Sequence, residues 1–105
     1  MTQPNILYIL ADDHGYGDIS ANDGPGVRTP HIDGIGEAGM RFSRCYANST
    51  VCSPSRAALL TGRYPDRVGV PGVIRQTASE SWGYFDPNAV MLPDMLRRGG
   101  YDTIH

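Results

Sequence analysis

The segment NILYILA, residues 5–11, is a continuous apolar run rich in strand-forming residues. Its lack of polar alternation is typical of a strand that is buried on both faces, as in a parallel sheet. The run ends at Asp12 and Asp13, and ligands of open α/β sheets bind at the carboxyl ends of the strands. We therefore expect a central strand with two carboxylates at the edge of the sheet where chemistry takes place.

Two helices are predicted where a capping residue precedes proline and a glycine follows the helical segment. Thr29-Pro30 predicts a helix over residues 30–38 that ends at Gly39. Ser53-Pro54 predicts a second helix, with Ser53 as its cap, that ends before Gly62. Cys52 is then expected at the N-terminal end of this second helix.

The rest of the chain predicts two further strands, one more helix and a long loop. Residues 40–47 predict a second strand, and residues 101–104 predict the beginning of a third. Residues 63–90, which are interrupted by proline and glycine, predict a long irregular excursion. Residues 92–98 predict a short helix with arginines in its last turn. This alternation of strands and helices is typical of an α/β sheet enzyme.

The composition of the chain argues against several classes of partner. The chain has 105 residues, which is one small domain at most or a piece of a larger one. Its nine basic residues, all arginine, face eleven acidic ones, and the net charge of −2 argues against a partner that is a nucleic acid or an anionic membrane. Mean hydropathy is −0.32, and the apolar runs are too short to span a bilayer, so we expect no membrane association.

The beginning of the chain carries neither a basic region nor a small-residue cleavage site, so no signal peptide is visible. The localisation stays unassigned, cytoplasmic by default, and periplasmic or secreted if the N-terminus is incomplete. Two cysteines, Cys45 and Cys52, are too few for a disulfide-stapled miniprotein.

The most specific motif is CSPSR, residues 52–56, which is followed after three residues by LTGR, residues 60–63. The N-terminal end of a helix favours negative charge, and Arg56 lies one helical turn after Cys52 on the same face. This face is predicted to hold an anion. A tyrosine-phosphatase loop is excluded, because it requires an arginine six positions after the cysteine, where Ala58 stands.

These motifs resemble the N-terminal part of the type I sulfatases, in the alkaline-phosphatase-like superfamily, whose signature is Cys-x-Pro-Ser-Arg followed by Leu-Thr-Gly-Arg. Residues 6–13 resemble the family's first strand with its metal-binding acidic pair, and residues 29–33 and 92–96 resemble two further family segments. The resemblance covers essentially the whole chain. It implies an α/β sandwich with a mixed, mostly parallel central sheet, of which residues 1–105 are the incomplete N-terminal part of the catalytic domain.

The resemblance also implies the chemistry at position 52. In this family a maturation enzyme oxidises the cysteine to Cα-formylglycine, an aldehyde that hydrates to a geminal diol. One diol oxygen of the modified Cys52 attacks the sulfur of a sulfate ester and expels the alcohol. The second hydroxyl then lets the covalent intermediate collapse to the aldehyde and release sulfate.

A divalent cation, Ca²⁺ or alternatively Mg²⁺, accompanies this chemistry in the family. The resemblance implies that Asp12, Asp13 and the modified Cys52 are its ligands, since hard cations prefer oxygen donors. Arg56 is implied as the second catalytic residue, because its guanidinium would hold the charged diol oxygen.

Several other polar residues have simpler interpretations. A surface position explains His14, and turn, cap or packing duties explain Asp18, Asn48 and Arg63. Cys45, on a predicted strand, is expected in the core. The glycines in GIGEAG, residues 34–39, match a dinucleotide fingerprint in letters only, because they follow a helix start instead of a strand. Aromatic residues of the long excursion are candidates for a substrate entrance: Tyr64, Trp82, Tyr84 and Phe85.

The predicted function is hydrolysis of a sulfate ester of a small molecule or a carbohydrate. A phosphoesterase or phosphonate hydrolase of the same superfamily, a thiol-redox protein and an inactive remnant are the alternatives. The family's remaining metal and sulfate ligands are expected beyond His105, so we expect the isolated chain to show no turnover.

Overall fold

The computed structural model describes residues 3–24 and 26–105. The chain divides into two compact units, residues 1–45 and residues 46–105. The described residues form three α-helices, which are α1 (Pro30–Ala38), α2 (Cys52–Thr61) and α3 (Leu92–Arg98). Two short 3-10 turns precede α1, Tyr16–Asp18 and Ser20–Asn22, and two lie between α2 and α3, Pro65–Val68 and Ala78–Glu80. In this described part of the chain, every helix falls short of the length and apolarity that a membrane crossing needs.

The helix predictions are confirmed for α1 and α3, which have the expected bounds. Gly62 ends α2 as predicted, because it takes a left-handed conformation (φ 64°) and its N–H donates to the Ala58 carbonyl at 2.8 Å. The prediction for the start of α2 is wrong by two residues, because the helix begins at Cys52 and not at Pro54. Val51 is the capping residue, no side chain caps the helix, and Ser53 lies inside the first turn.

The predicted sheet is not seen among the described residues, because residues 5–11, 40–47 and 101–104 contain no strand. A turn at residues 43–44 interrupts the second predicted strand. A strand requires a hydrogen-bonded neighbour, and these segments have no such ladder in the described part of the chain. The large side chains of residues 6–10 are between 46% and 85% exposed.

A polar cluster holds the first unit together. The Ser20 hydroxyl donates to Asp33 Oδ2 at 2.5 Å, and the Thr29 hydroxyl donates to Asp33 Oδ1 at 3.0 Å. The Ser20 N–H donates to Thr29 Oγ1, and the Thr29 N–H donates to Ser20 Oγ, both at 2.9 Å. These bonds tie the turn at Ser20 to the first turn of α1. The hydrogen bond from Ser20 is the main cause that lowers the pKa of Asp33 below its ordinary 3.8.

The second unit has a small apolar core. Val68, Val70, Ala57 and Ala89 are buried, and Phe85 packs against them. The long excursion, which contains no strand and only short 3-10 turns, supplies most of this core by folding back on itself. The Tyr84 N–H donates to the Gly69 carbonyl at 2.8 Å, and the Asp86 N–H donates to the Val68 carbonyl at 3.0 Å.

Gly69 is essential to this return. Its φ is +78°, and a Cβ added there would lie 2.2 Å from the Tyr84 carbonyl oxygen. Only glycine therefore satisfies both the left-handed backbone and the close approach of the two segments.

Candidate active site

The signature helix α2 has a buried face and an exposed face. Pro54, Ala57 and Ala58 are buried, whereas Cys52 and Arg56 are exposed. Pro54 is the third residue of the helix, where its missing N–H costs nothing because the first four N–H groups have no intrahelical partner. The buried face fixes α2 in the second unit and leaves the thiol and the guanidinium at the surface.

Two serines fix the N-terminal end of α2. The Ser55 hydroxyl donates to the Ser49 carbonyl at 2.7 Å, which holds the loop that precedes the helix. The Ser53 hydroxyl oxygen accepts the N–H of Ile74 at 3.0 Å, from the excursion. The Cys52 Sγ lies 4.0 Å from the same Ser53 Oγ. Position 52 is thus held by backbone and neighbouring side chains while its own side chain stays accessible.

The second half of the signature ends the helix. The Thr61 hydroxyl donates to the Ala57 carbonyl at 2.6 Å, and the Arg63 N–H donates to Thr61 Oγ1 at 3.3 Å. Together with the left-handed Gly62, these bonds direct the chain out of α2 and into the excursion. Thr61 and Gly62 therefore have structural roles.

Arg56 also borders an apolar cavity of about 310 Å³ in the second unit. Its walls are formed by side chains of α2, of the excursion and of the residue before α3: Ser53, Ala57, Leu60, Val70, Ile74, Phe85 and Met91. Arg56 is the one charged residue among the described residues that line this cavity.

The acidic pair belongs to the first unit. Asp12 and Asp13 are both exposed, and Asp13 has a φ of +51°, in the left-handed region that Asp adopts more readily than most residues and that Asp23 also adopts. Adjacent carboxylates are suitable oxygen donors for Ca²⁺ or Mg²⁺, although Ca²⁺ takes 6–8 oxygen ligands. Among residues 3–24 and 26–105, no three His, Cys, Asp or Glu side chains form a metal-binding group, and two carboxylates alone are too few ligands for such a cation.

Other residues singled out in the sequence have simpler roles. Asp18 Oδ2 accepts the Gly15 N–H at 2.7 Å and stabilises a turn, as its simpler interpretation expected. His14 is exposed. The prediction that Cys45 lies in the core is wrong, because its side chain is exposed, and neither Cys45 nor Cys52 forms a disulfide.

The four aromatic candidates separate into two groups. Trp82 lines a cavity of about 440 Å³, and Phe85 packs on the core. Tyr64 and Tyr84 are 73% and 77% exposed and line neither of these two cavities. The sequence analysis did not identify Arg75 and Glu80, which also line the larger cavity. Their closeness to the chain's one tryptophan is the signal that was available.

Comparisons with known proteins agree with these motifs. The sulfatase family model matches residues 4–105. Over 101 residues the chain is 45% identical to arylsulfatase A of Bos taurus, a match that covers 95% of this chain and 19% of that protein. It is 43% identical over 101 residues to N-acetylgalactosamine-6-O-sulfatase of Bacteroides thetaiotaomicron, covering 96% of the chain and 19% of that protein.

A third relative is steryl-sulfatase of Mus musculus, 41% identical over 105 residues, with 95% of this chain and 16% of that protein covered. The chain therefore spans about a fifth of the length of the curated relatives it matches. No solved structure gives a significant match. The family match extends over nearly all of the sequence and includes the complete signature of α2, and the chain belongs to the sulfatase family.

Proposed function

We propose that residues 1–105 are the N-terminal part of a sulfatase catalytic domain, and that the complete protein hydrolyses sulfate esters. The observation that supports this most directly is that the signature contains residues that fix the backbone and residues whose side chains stay exposed. Pro54 is buried, and Ser55, Thr61 and Gly62 hold the backbone, whereas Cys52 and Arg56 are exposed. The relatives named above are all sulfatases, and they differ in the alcohol that their names specify.

Cys52 is the proposed precursor of the nucleophile. It is exposed at the start of α2, where a maturation enzyme has access to it. As Cα-formylglycine, this residue supplies a hydrated aldehyde whose two hydroxyls serve attack and release in turn. The partial positive charge at the N-terminal end of α2 stabilises negative charge on the attacking oxygen.

Arg56 is the proposed electrostatic partner of position 52. It follows by four residues on the exposed side of α2, so that both side chains project over the same turn. A guanidinium there orients the sulfate group and stabilises oxygen anions through charge-assisted hydrogen bonds.

Asp12 and Asp13 are the proposed ligands of a divalent cation, Ca²⁺ or Mg²⁺, in the complete protein. A bound cation neutralises charge on the sulfate oxygens and on the nucleophile. Two carboxylates cannot saturate Ca²⁺, so further oxygen ligands must come from other segments.

The exposed apolar segment, residues 5–11, is the proposed central strand of an alkaline-phosphatase-like sheet. Its large side chains are 46–85% exposed, which is unfavourable for a run of this length unless neighbouring strands cover it. Its end at the acidic pair places the proposed cation at the carboxyl edge of that sheet.

The direct experiment is peptide mass spectrometry of residue 52 after co-expression with a formylglycine-generating enzyme. We expect an aldehyde at position 52 and an unmodified thiol at Cys45, which serves as the internal control in the same digest. An unmodified Cys52 contradicts the proposal, and a sulfenic acid or mixed disulfide at position 52 favours a thiol-redox protein.

The isolated chain is expected to lack turnover, because the two acids and one arginine provide only part of a cation and sulfate site. The measurement is hydrolysis of a chromogenic aryl sulfate by the aldehyde-containing chain, with an active sulfatase as the positive control. Turnover comparable to that control would show that residues 1–105 form a complete active site.

A further inference from the structure

We propose that Ser53 is a positioning residue, whose hydroxyl anchors the loop of residues 72–82 to the first turn of α2, beside position 52. We call residues 72–82 the anchored loop. The inference rests on the proposed sulfatase function and goes beyond it, because it assigns a role to the second position of the CSPSR motif, which the family signature leaves open. Ser53 acts through the loop and not by contact with the reacting atoms.

The base of the anchored loop is closed by backbone hydrogen bonds. The Trp82 N–H donates to the Val73 carbonyl at 2.8 Å, and the Gly72 N–H donates to the Trp82 carbonyl at 3.2 Å. A Cβ added at Gly72 would lie 2.8 Å from the Trp82 Cβ. The two sides of the loop therefore approach each other this closely because Gly72 has no side chain.

The far end of the anchored loop is held by side-chain hydrogen bonds. Ser81 Oγ accepts the Arg75 N–H at 2.9 Å and donates to the Thr77 carbonyl at 2.7 Å. The Thr77 hydroxyl donates to Glu80 Oε2 at 2.9 Å. These internal bonds give the loop a defined shape, so its contacts with α2 decide where it lies and not how it is folded.

Ser53 joins the anchored loop to α2. Its Oγ accepts the Ile74 N–H at 3.0 Å, and the Cys52 Sγ lies 4.0 Å from the same oxygen. Ser53 is half-buried in the first turn of α2, where the helix fixes its backbone. One oxygen atom is thus within 4.0 Å of both the loop backbone and the side chain of position 52.

The anchor belongs to the walls on both sides of the start of α2. Ser53 and Ile74 line the cavity of about 310 Å³ together with Arg56, the proposed electrostatic partner of position 52. Val73 lines the larger cavity together with Val51, which directly precedes Cys52. Because these walls flank position 52, the placement of the anchored loop affects how tightly a sulfate ester is held there.

Loss of the Ser53 hydroxyl is expected to release the loop without unfolding the second unit. The buried core residues Val68 and Val70 pack with Ala57 and not with Ser53. Ile74 is exposed, so its N–H can bond to water when Ser53 no longer accepts it. A loop that is docked for a smaller fraction of the time weakens the apparent affinity for a ligand by that fraction.

The test is steady-state hydrolysis of para-nitrophenyl sulfate by the full-length protein, co-expressed with a formylglycine-generating enzyme. Ser53→Ala is expected to raise KM about fivefold, which corresponds to the net strength of one neutral hydrogen bond. Ser53→Thr keeps a hydroxyl and is expected to bring KM back to that of the parent. Ser53→Val has the shape of threonine without the hydroxyl, and its KM is expected to match that of Ser53→Ala.

The change in KM separates positioning from a structural role. A variant that folds less well, or that is converted to the aldehyde less completely, has fewer active molecules, which lowers the apparent kcat and leaves KM unchanged. Mass spectrometry of residue 52 gives the converted fraction of each variant. Ser79→Ala is the matched control, because Ser79 is an exposed serine of the same loop whose Oγ lies 3.3 Å from Thr77 Oγ1. It is expected to leave KM unchanged.

Hydrogen exchange of the parent protein tests the anchor without any substitution. The Ile74 amide is expected to be protected although Ile74 is exposed, because Ser53 Oγ accepts its N–H. This measurement still decides the question if a Ser53 variant does not fold.

Three results would overturn the inference. They are an unchanged KM in Ser53→Ala, an equal rise of KM in Ser53→Thr and Ser53→Val, and exchange of the Ile74 amide at its intrinsic rate in the parent. A parent protein that hydrolyses no sulfate ester would refute the proposed function and this inference together, whereas an active parent with an unchanged KM in Ser53→Ala refutes the inference alone.

Discussion

The two units of the chain are stabilised in different ways. In the second unit, Val68 and Val70 are 0% and 1% exposed, and the excursion packs against Ala57 of α2. In the first unit, no described residue among 3–24 and 26–45 is buried, and the hydrogen bonds of Ser20, Thr29 and Asp33 provide the main tertiary links. The difference shows that the second unit has an apolar core of its own, whereas the described part of the first unit relies on polar contacts.

The second unit forms its core from its own residues, so α2 and its exposed Cys52 and Arg56 are positioned by contacts within that unit. The first unit carries a strongly apolar segment, residues 5–11, that stays exposed. Because apolar burial is the main favourable term in folding, such a segment is stable only when other chain segments cover it. We therefore expect the position of the acidic pair at its end to depend on the chain segments that cover residues 5–11.

The largest effect on stability is expected at Gly69, where the second unit closes. Gly69→Ala introduces a Cβ 2.2 Å from the Tyr84 carbonyl at a φ of +78°, and it should cost roughly 3 kcal/mol from clash and backbone strain. Gly62→Ala is the matched control, because its φ is +64° but nothing lies within 4 Å of an added Cβ. It should cost only about 1 kcal/mol.

Urea unfolding followed by Trp82 emission measures both variants, since Trp82 belongs to the second unit. Equal losses for Gly69→Ala and Gly62→Ala would show that the contact between residues 69 and 84 does not hold the core closed.

The next prediction compares the truncation of a buried side chain in the second unit with the truncation of an exposed side chain in the first unit. Val68→Ala removes apolar volume at a fully buried position and should destabilise the second unit by about 2 kcal/mol. Ile35→Ala, at a position that is 68% exposed in the first unit, should change stability by less than about 0.5 kcal/mol. Hydrogen exchange of peptides from each unit measures the two losses separately. A larger loss of protection for Ile35→Ala would mean that the first unit has an apolar core of its own.

The smallest expected effect is a loss of stability of the polar cluster of the first unit at acidic pH. The pKa of Asp33 is lowered, mainly by the Ser20 hydrogen bond, so its contribution is fully present above 3.8 and is lost as the pH falls through the lower folded pKa. The protection of the amides near Ser20 and Asp33, taken relative to the intrinsic exchange rate at each pH, should therefore fall below pH 3.8 in the parent chain, and Asp33→Asn should show the lower protection already at neutral pH.

Asp94→Asn is the control for this experiment. Its pKa is lowered too, first by the Met91 N–H and then by Arg97, but these contacts lie within the first turns of α3. The substitution should change exchange only near α3. A pH dependence of residues 20–33 that persists in Asp33→Asn would assign it to a different group.

The sequence was most informative where local chemistry decides the structure. The proline after Thr29 and the glycine after residue 38 were enough to predict α1, and the arginines and glycines after Leu92 were enough for α3. The cap of α2 was misplaced, because the Ser53 hydroxyl accepts a bond from Ile74, which is distant in sequence. Long-range partners of this kind leave no local pattern.

The predicted strands likewise depend on partners that are distant in the sequence. An apolar run predicts that a segment can be a strand, but a neighbouring segment decides whether it is one. The candidate site also has a part that the sequence predicts and a part that it does not. The spacing of Cys52 and Arg56 on α2 follows from helical periodicity alone. The cavity around Trp82 depends on Gly72 and on a return of the chain that no motif indicates.

The most direct test of the proposed chemistry is sulfate ester hydrolysis by the full-length protein, co-expressed with a formylglycine-generating enzyme, in Cys52→Ala and Cys45→Ala variants. Both cysteines are exposed and neither is in a disulfide, so the two substitutions are closely matched in their structural cost. We expect Cys52→Ala to abolish turnover and Cys45→Ala to retain it. Undiminished turnover in Cys52→Ala would contradict the assignment of position 52 as the nucleophile.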